Sequence, residues 1–197
     1  MLPVHLGKPP RTVFGLVVKG IVATGRRFRL VAQDRWGSYP PPGPLRTSFP
    51  GFGWLLWHVA TAHDRRHMYR RVSRHVAAGR LVVSDRFPIP ELALMDGPRA
   101  QWLADVDIPA LASLLVRYER HCYRAVPKPD LLIVLRLEPE LAVRRKSGVD
   151  PAAFVRARSA EVYAREWPNG RAHVVDASRS RAEVAVAIRR AVWSSLV

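Results

Sequence analysis

An α/β protein built on a parallel sheet is the fold class predicted, and three observations predict it. Residues 81–83 and 131–135 are unbroken apolar runs, the pattern of strands covered on both faces. Segments whose apolar residues recur at helical spacing alternate with these runs. The first run follows Gly79 and delivers Ser84-Asp85-Arg86-Phe87 at its carboxyl end, where open α/β sheets seat their ligands. A carboxylate beside a guanidinium at such a place serves a metal-bound phosphate and a second anion, or is simply structural.

The elements follow in order. Residues 1–10 begin with a short apolar stretch read as a strand, and Pro9-Pro10 ends it. Phe14, Val17, Val18 and Ile21 have helical spacing, and Gly25-Arg26-Arg27 closes that segment. Residues 33–53 are too rich in Pro and Gly for regular structure and are read as a loop, a mobile insert or a substrate-side flap. A long helix is predicted over 54–78, with Leu55, Val59, Ala62, Tyr69, Val72 and Val76 on its apolar face. Asp64, Arg65, Arg66, Arg70, Arg71 and Arg74 fall on the other face, which is read as solvated, with Arg65 or Arg66 directed into a cleft.

After the Asp85-Arg86 strand, Pro88 and Pro90 force an irregular path, and Met95-Asp96-Gly97-Pro98-Arg99 makes a charged turn. Asp107 is expected to cap a helix that has Pro109 in its first turn and Leu111, Leu114, Leu115, Tyr118 and Cys122 as its buried stripe. Pro127 and Pro129 end it, and 131–135 is the second central strand. Glu138-Pro139-Glu140 opens a helix through Arg144, Arg145 and Lys146, and Asp150-Pro151 opens another that carries Arg156, Arg158 and Arg165. A third strand at 173–175 runs into Asp176-Ala177-Ser178. Ser180 or a neighbour caps a last helix with Val184, Ile188, Ala191 and Val192 on one face.

With 197 residues the chain is read as one domain. No apolar run approaches the roughly 18 residues that cross a bilayer, and no signal peptide is visible, so no membrane partner is expected. The single cysteine, Cys122, allows no internal disulfide, which points to the reducing cytoplasm. A net charge of +16 raises nucleic acid as a partner. The charge is mostly Arg spread along the chain, without zinc-ligand spacing or basic-aromatic repeats, so a small phosphate-bearing ligand or nucleotide is favoured.

Taken together, the long helix ending Ala-Ala-Gly, then Leu-Val-Val-Ser-Asp-Arg-Phe, then Pro129-Asp130 with its apolar run, Pro139-Glu140 and Arg145, and finally Val175-Asp176-Ala177-Ser178, resemble the thymidylate kinase-like branch of the P-loop nucleoside and nucleotide kinases. The resemblance covers about residues 55–197. It implies a three-layer parallel sheet with helices on both faces, an ATP- and Mg²⁺-dependent phosphotransfer, and a possible homodimer. By motif, it implies that Asp85 serves Mg²⁺ and the acceptor side, Arg86 binds an acceptor phosphate or sugar, and Arg145 acts in catalysis. Arg65, Phe87, Asp96 and Arg99 are then substrate-binding, and Arg144, Arg156 and Arg158 belong to a lid over 144–158 that closes on the donor phosphates.

Two departures qualify what the resemblance implies. Arg136 stands where many relatives carry Asp, and the sequence holds no Gly-x-x-x-x-Gly-Lys-Ser/Thr loop to cradle the donor phosphates; Gly7-Lys8 is followed by Pro9. The family's strand order is 2-3-1-4-5, so the central strand that precedes this loop is expected to be missing, with the domain incomplete at its amino end. Three functions remain open on the sequence: a phosphotransferase, a non-catalytic relative that binds an anionic ligand, and a nucleic-acid binder acting through charge.

Overall fold

The computed structural model describes residues 2–5, 9–28, 49–90, 92, 94, 96–146, 150–167 and 172–196. It is a mixed α/β chain that falls into two compact units, Met1–Pro127 and Lys128–Val197. The expectations for residues 33–48 and for Gly7-Lys8 lie outside the described residues.

The first unit opens with strand β1 (Leu2–His5), continues through helices α1 (Val13–Arg27) and α2 (Phe52–Ala77) to strand β2 (Val82–Asp85), and ends with a short 3₁₀ turn and helix α3 (Ala110–Arg124). β1 lies parallel to β2 in a register that sets Leu2 against Val82 and His5 against Asp85. A parallel pair needs a crossover connection, and α1 with α2 supplies it. The core is the amino-terminal part of the α2 face expected from its spacing: Leu55, Val59 and Ala62 are buried, together with Trp54, and α3 packs on them through Ala112 and Val116, whereas Val72 is half-buried and Val76, expected on the same face, is exposed.

Four further expectations about this unit are corrected. Residues 81–83 were read as covered on both faces, but Leu81 and Val83 are exposed and burial alternates along β2, because a two-stranded sheet offers a strand little cover. The stripe of α3 is rotated: Leu111 and Leu114 are exposed, while Ala112, Val116, Glu119, Cys122 and Tyr123 are buried. Pro109, not Asp107, is the capping residue of that helix. On α2, Asp64 and Arg65 are buried although the charge pattern put them on the solvated face; Arg70, Arg71 and Arg74 are exposed as expected.

Asp64 explains its own burial. Its Oδ1 accepts the amide and the hydroxyl of Thr12 at 2.9 and 2.7 Å, and its Oδ2 accepts Lys19 Nζ at 2.9 Å. Thr12 is the N-cap of α1, with its hydroxyl also accepting the Gly15 amide at 3.0 Å. The carboxylate therefore ties the start of α1 to the middle of α2. Gly15 is required at this crossing, since a Cβ there would stand 2.2 Å from Asp64 Oδ1. α1 consequently turns polar groups inward and leaves Val13, Leu16, Val17 and Ile21 exposed.

The second unit runs β3 (Leu132–Arg136), α4 (Pro139–Arg145), α5 (Ala152–Tyr163), β4 (Ala172–Asp176) and α6 (Arg181–Leu196). β3 and β4 are parallel, with Leu132 opposite Ala172 and Arg136 opposite Asp176. The run 131–135 was expected to be wholly buried; Val134 is buried and Leu135 is half exposed. Helix starts follow the sequence closely. Pro139 occupies the first turn of α4, and Ser180 with Glu183 forms a reciprocal capping box at α6, the Glu183 carboxylate accepting the Ser180 amide at 3.0 Å; at α5 the expected cap Asp150 is displaced by Pro151, which is itself the capping residue.

Candidate functional site

In the first unit, the charged residues picked out by motif gather around Asp96. Arg65 projects from the middle of α2 and is buried; its Nη2 donates to Asp96 Oδ1 at 2.6 Å, and its Nη1 donates to the Asp96 carbonyl at 2.5 Å and to the Tyr123 hydroxyl at 2.7 Å. The second Asp96 oxygen, Oδ2, lies 3.9 Å from Arg86 Nη1. One carboxylate thus stands between two guanidiniums, one buried and one 43% exposed.

Arg86 has a backbone φ of 53°, in the left-handed region that costs a side-chain-bearing residue roughly 1–3 kcal/mol and tends to mark functional turns. The strain follows from its place. β2 stops at Asp85, and the chain must turn within one residue so that Phe87 can pack on Tyr69, their rings meeting edge to face at 5.9 Å. Asp85 is exposed at the carboxyl end of the strand. Phe87 is half-buried in the cluster of Met68, Tyr69 and Val126, so it shapes the floor beneath the turn.

The electrostatics follow from burial. Burial by itself would lower the Arg65 guanidinium's pKa, but Tyr123 and Asp96 more than offset this and hold it above its ordinary value, so it is a permanent cation. Burial pushes the Tyr123 phenol up to about 12 against the opposing pull of Arg65, and it carries the Tyr69 phenol still higher. Among the described residues, the buried Tyr69 hydroxyl has no hydrogen-bond partner. His58 is held well below its usual value by burial and then by Arg99 and Arg65, so it is neutral at pH 7. Next to Tyr123 lies a cavity of about 380 Å³ lined by Pro90, Pro98, Gln101, Arg120 and Arg124 as well as Tyr123 itself.

Arg99 is placed differently from the rest. It is buried, and its Nη2 points to the Leu94 carbonyl at 3.4 Å, inside its own loop. Glu119, which sequence reasoning passed over, accepts the Arg99 and Ala100 amides at 3.0 and 2.9 Å. The stripe assigned to α3 skipped this position, and a carboxylate among apolar neighbours was the one signal of its role.

The remaining candidates lie in the second unit. Arg145 donates to the carbonyls of Ala177 and Ser178 at 2.5 and 2.8 Å, so it grips the turn after β4. The turn is itself closed by Asp176 Oδ1, which accepts the Ser178 amide at 2.9 Å and its hydroxyl at 2.6 Å. Arg156 makes a two-pronged pair with Glu140, at 2.7 and 3.1 Å, which braces α5 against α4. Arg144 is exposed and Arg158 half-buried. Among the described residues, no three His, Cys, Asp or Glu side chains gather as a metal site. Asp85 would suit Mg²⁺ in a site completed largely by phosphate oxygens and water, a mode that Mg²⁺ favours.

One curated protein bears on this arrangement. The match is to a thymidylate kinase. That protein, from Jannaschia sp. (strain CCS1), is 31% identical to this chain over 147 residues, an alignment taking in 69% of the chain and 65% of the relative. The chain thus spans just under two thirds of the relative's length, and the likeness supports a kinase-like relationship. No protein-family model matches the chain, and no solved structure does. Among the described residues no helix is long and apolar enough to cross a membrane.

Proposed function

We propose that this chain is a nucleotide kinase-like protein whose first unit carries the acceptor side of a phosphoryl transfer from ATP to a nucleoside, nucleotide or other small acceptor. The observation that carries the reading is the strained turn at Arg86, which sets a half-exposed guanidinium at a strand end beside Asp96 and the buried Arg65. Phosphoryl transfer asks the protein mainly for placed positive charge, and guanidinium groups suit the spread charge of the moving phosphoryl. In this reading Arg86 receives the acceptor's phosphate or sugar, Asp96 fixes its aim, and Asp85 is the residue that would help hold Mg²⁺, which would supply positive charge to the phosphates. The parallel pairs β1-β2 and β3-β4 agree with neighbours 2-3 and 4-5 of the strand order 2-3-1-4-5. ATP, when bound with Mg²⁺, supplies the transferred group.

A second reading has its own support. The Arg86 guanidinium is 43% exposed beside an Asp96 that the buried Arg65 already holds, so the same basic turn is suited to binding an anionic ligand without turnover. Titration calorimetry with thymidine 5′-monophosphate and with MgATP, together with an ADP-release assay, separates the two. Binding with ADP release supports the transferase; binding without release supports the non-catalytic reading. No heat with either nucleotide refutes both. Loss of monophosphate binding in Arg86→Ala with retained folding is expected under either.

A further inference from the structure

Glu119 is 1% exposed, and both of its oxygens are committed to backbone: Oε1 to the Arg99 amide at 3.0 Å and Oε2 to the Ala100 amide at 2.9 Å. These amides stand at the entry of the 3₁₀ turn Gln101–Asp105, where first-turn N–H groups have no partner inside the helix. The surroundings are dry, since Ala100, Leu103 and Ala112 are fully buried. A carboxylate that accepts two consecutive amides fixes the planes of both peptides.

The segment that leads back from Ala100 to Asp96 has little freedom to absorb a shift. Gly97 is pressed against the Ile89 carbonyl, which an added Cβ would approach to 2.6 Å, and Pro98 has its φ locked. Asp96 in turn holds Arg65 through its Oδ1 and its carbonyl, and faces Arg86 with Oδ2. A stiff path therefore joins a carboxylate on α3 to both guanidiniums.

We propose that Glu119 is a positioning residue of the acceptor site: by clamping the Arg99 and Ala100 amides it sets where Asp96 stands, and through Asp96 it aims Arg65 and Arg86. The role attached to that site rests on the kinase-like reading; the mechanical linkage does not. Burial pushes Glu119 up to about 7, against the opposing pull of the two amides, Arg99 and Arg65. The other titratable groups that sense it are Cys122 and Tyr123, on its own helix. Protonation converts one accepting oxygen into a donor that faces an N–H, so one clamp bond is lost and the loop is released within the neutral range.

The test follows the full chain by ¹⁵N NMR from pH 5.5 to 8.5, using the amides of Arg99 and Ala100 and the side-chain Nε–Hε of Arg65. In the wild type all three are expected to shift with one midpoint near 7. In Glu119→Gln that shared midpoint disappears and the Arg65 resonance is displaced at every pH. An Arg65 resonance that stays still while the two amides titrate, or amides that do not titrate at all, overturns the linkage. If the Gln variant fails to fold, the wild-type titration decides alone. Thymidine 5′-monophosphate is the probe for the site itself: its Kd is expected to rise roughly tenfold in Glu119→Gln, with Glu119→Asp restoring part of the loss. Absence of binding of both thymidine 5′-monophosphate and MgATP to the wild type removes the kinase-like reading and leaves the NMR result to judge the linkage.

Discussion

Replacing Asp64 by Ala is the sharpest available test of how the first unit holds together. The substitution deletes three hydrogen bonds, to the Thr12 amide, the Thr12 hydroxyl and Lys19 Nζ, from a side chain with no solvent exposure. It also strands a Lys19 ammonium whose side chain is 11% exposed. Breaking a buried ion pair from one side costs about 3–5 kcal/mol; because Lys19 keeps some contact with water, the lower end, about 3 kcal/mol, applies. For a chain of this size that is a fall in Tm of roughly 6–12 °C. Urea unfolding followed by circular dichroism, with Lys19→Met and the double variant completing a cycle, reads the loss and the coupling. Lys19→Met alone leaves the carboxylate holding Thr12, so it is expected to cost less than Asp64→Ala. A loss below about 1 kcal/mol for Asp64→Ala would refute the account of α1 as an element pinned through its cap.

Three further outcomes follow from the same geometry. Gly15→Ala, whose Cβ would stand 2.2 Å from Asp64 Oδ1, should destabilise by an amount comparable to Asp64→Ala, and the two effects should be strongly non-additive in denaturant titrations. Arg86→Gly relieves a φ of 53°, so chemical denaturation should show stability unchanged or raised by up to about 1 kcal/mol while calorimetric binding of thymidine 5′-monophosphate is lost. Glu119 titrates near 7 in the folded chain and near 4.5 when unfolded, so between those values the native state holds the extra proton. Stability should therefore fall by about 3 kcal/mol as pH rises from 4.5 through 7, a slope that urea unfolding at several pH values should find absent in Glu119→Gln.

Much of the fold was legible because local chemistry dictated it. Helix starts at Pro139 and Ser180, and the amino-terminal half of the core face of α2, needed no more than capping rules and a period of 3.6. The failures share a cause, which is that burial is decided by partners remote in sequence. Asp64 looked solvated until Thr12 and Lys19, some 50 residues away, were placed on it. Leu111 and Leu114 looked like core because a helix with two apolar stripes does not say which one faces α2. At the candidate site, Arg65, Arg86, Phe87 and Asp96 were all flagged by motif, and the structure brings them together. What no motif announced was Asp96 as the shared partner of Arg65 and Arg86, or Glu119 behind the loop.

The pairing of β1 with β2 has a consequence for how the chain comes to be folded. His5 meets Asp85 across about eighty intervening residues, so the first strand leaves the ribosome long before its hydrogen-bonding neighbour exists. Contacts of such separation form slowly, since the connecting loop must close before they are rewarded. Until then β1 is an open edge, and a strand made some eighty residues ahead of its partner is among the last parts of this unit to be secured.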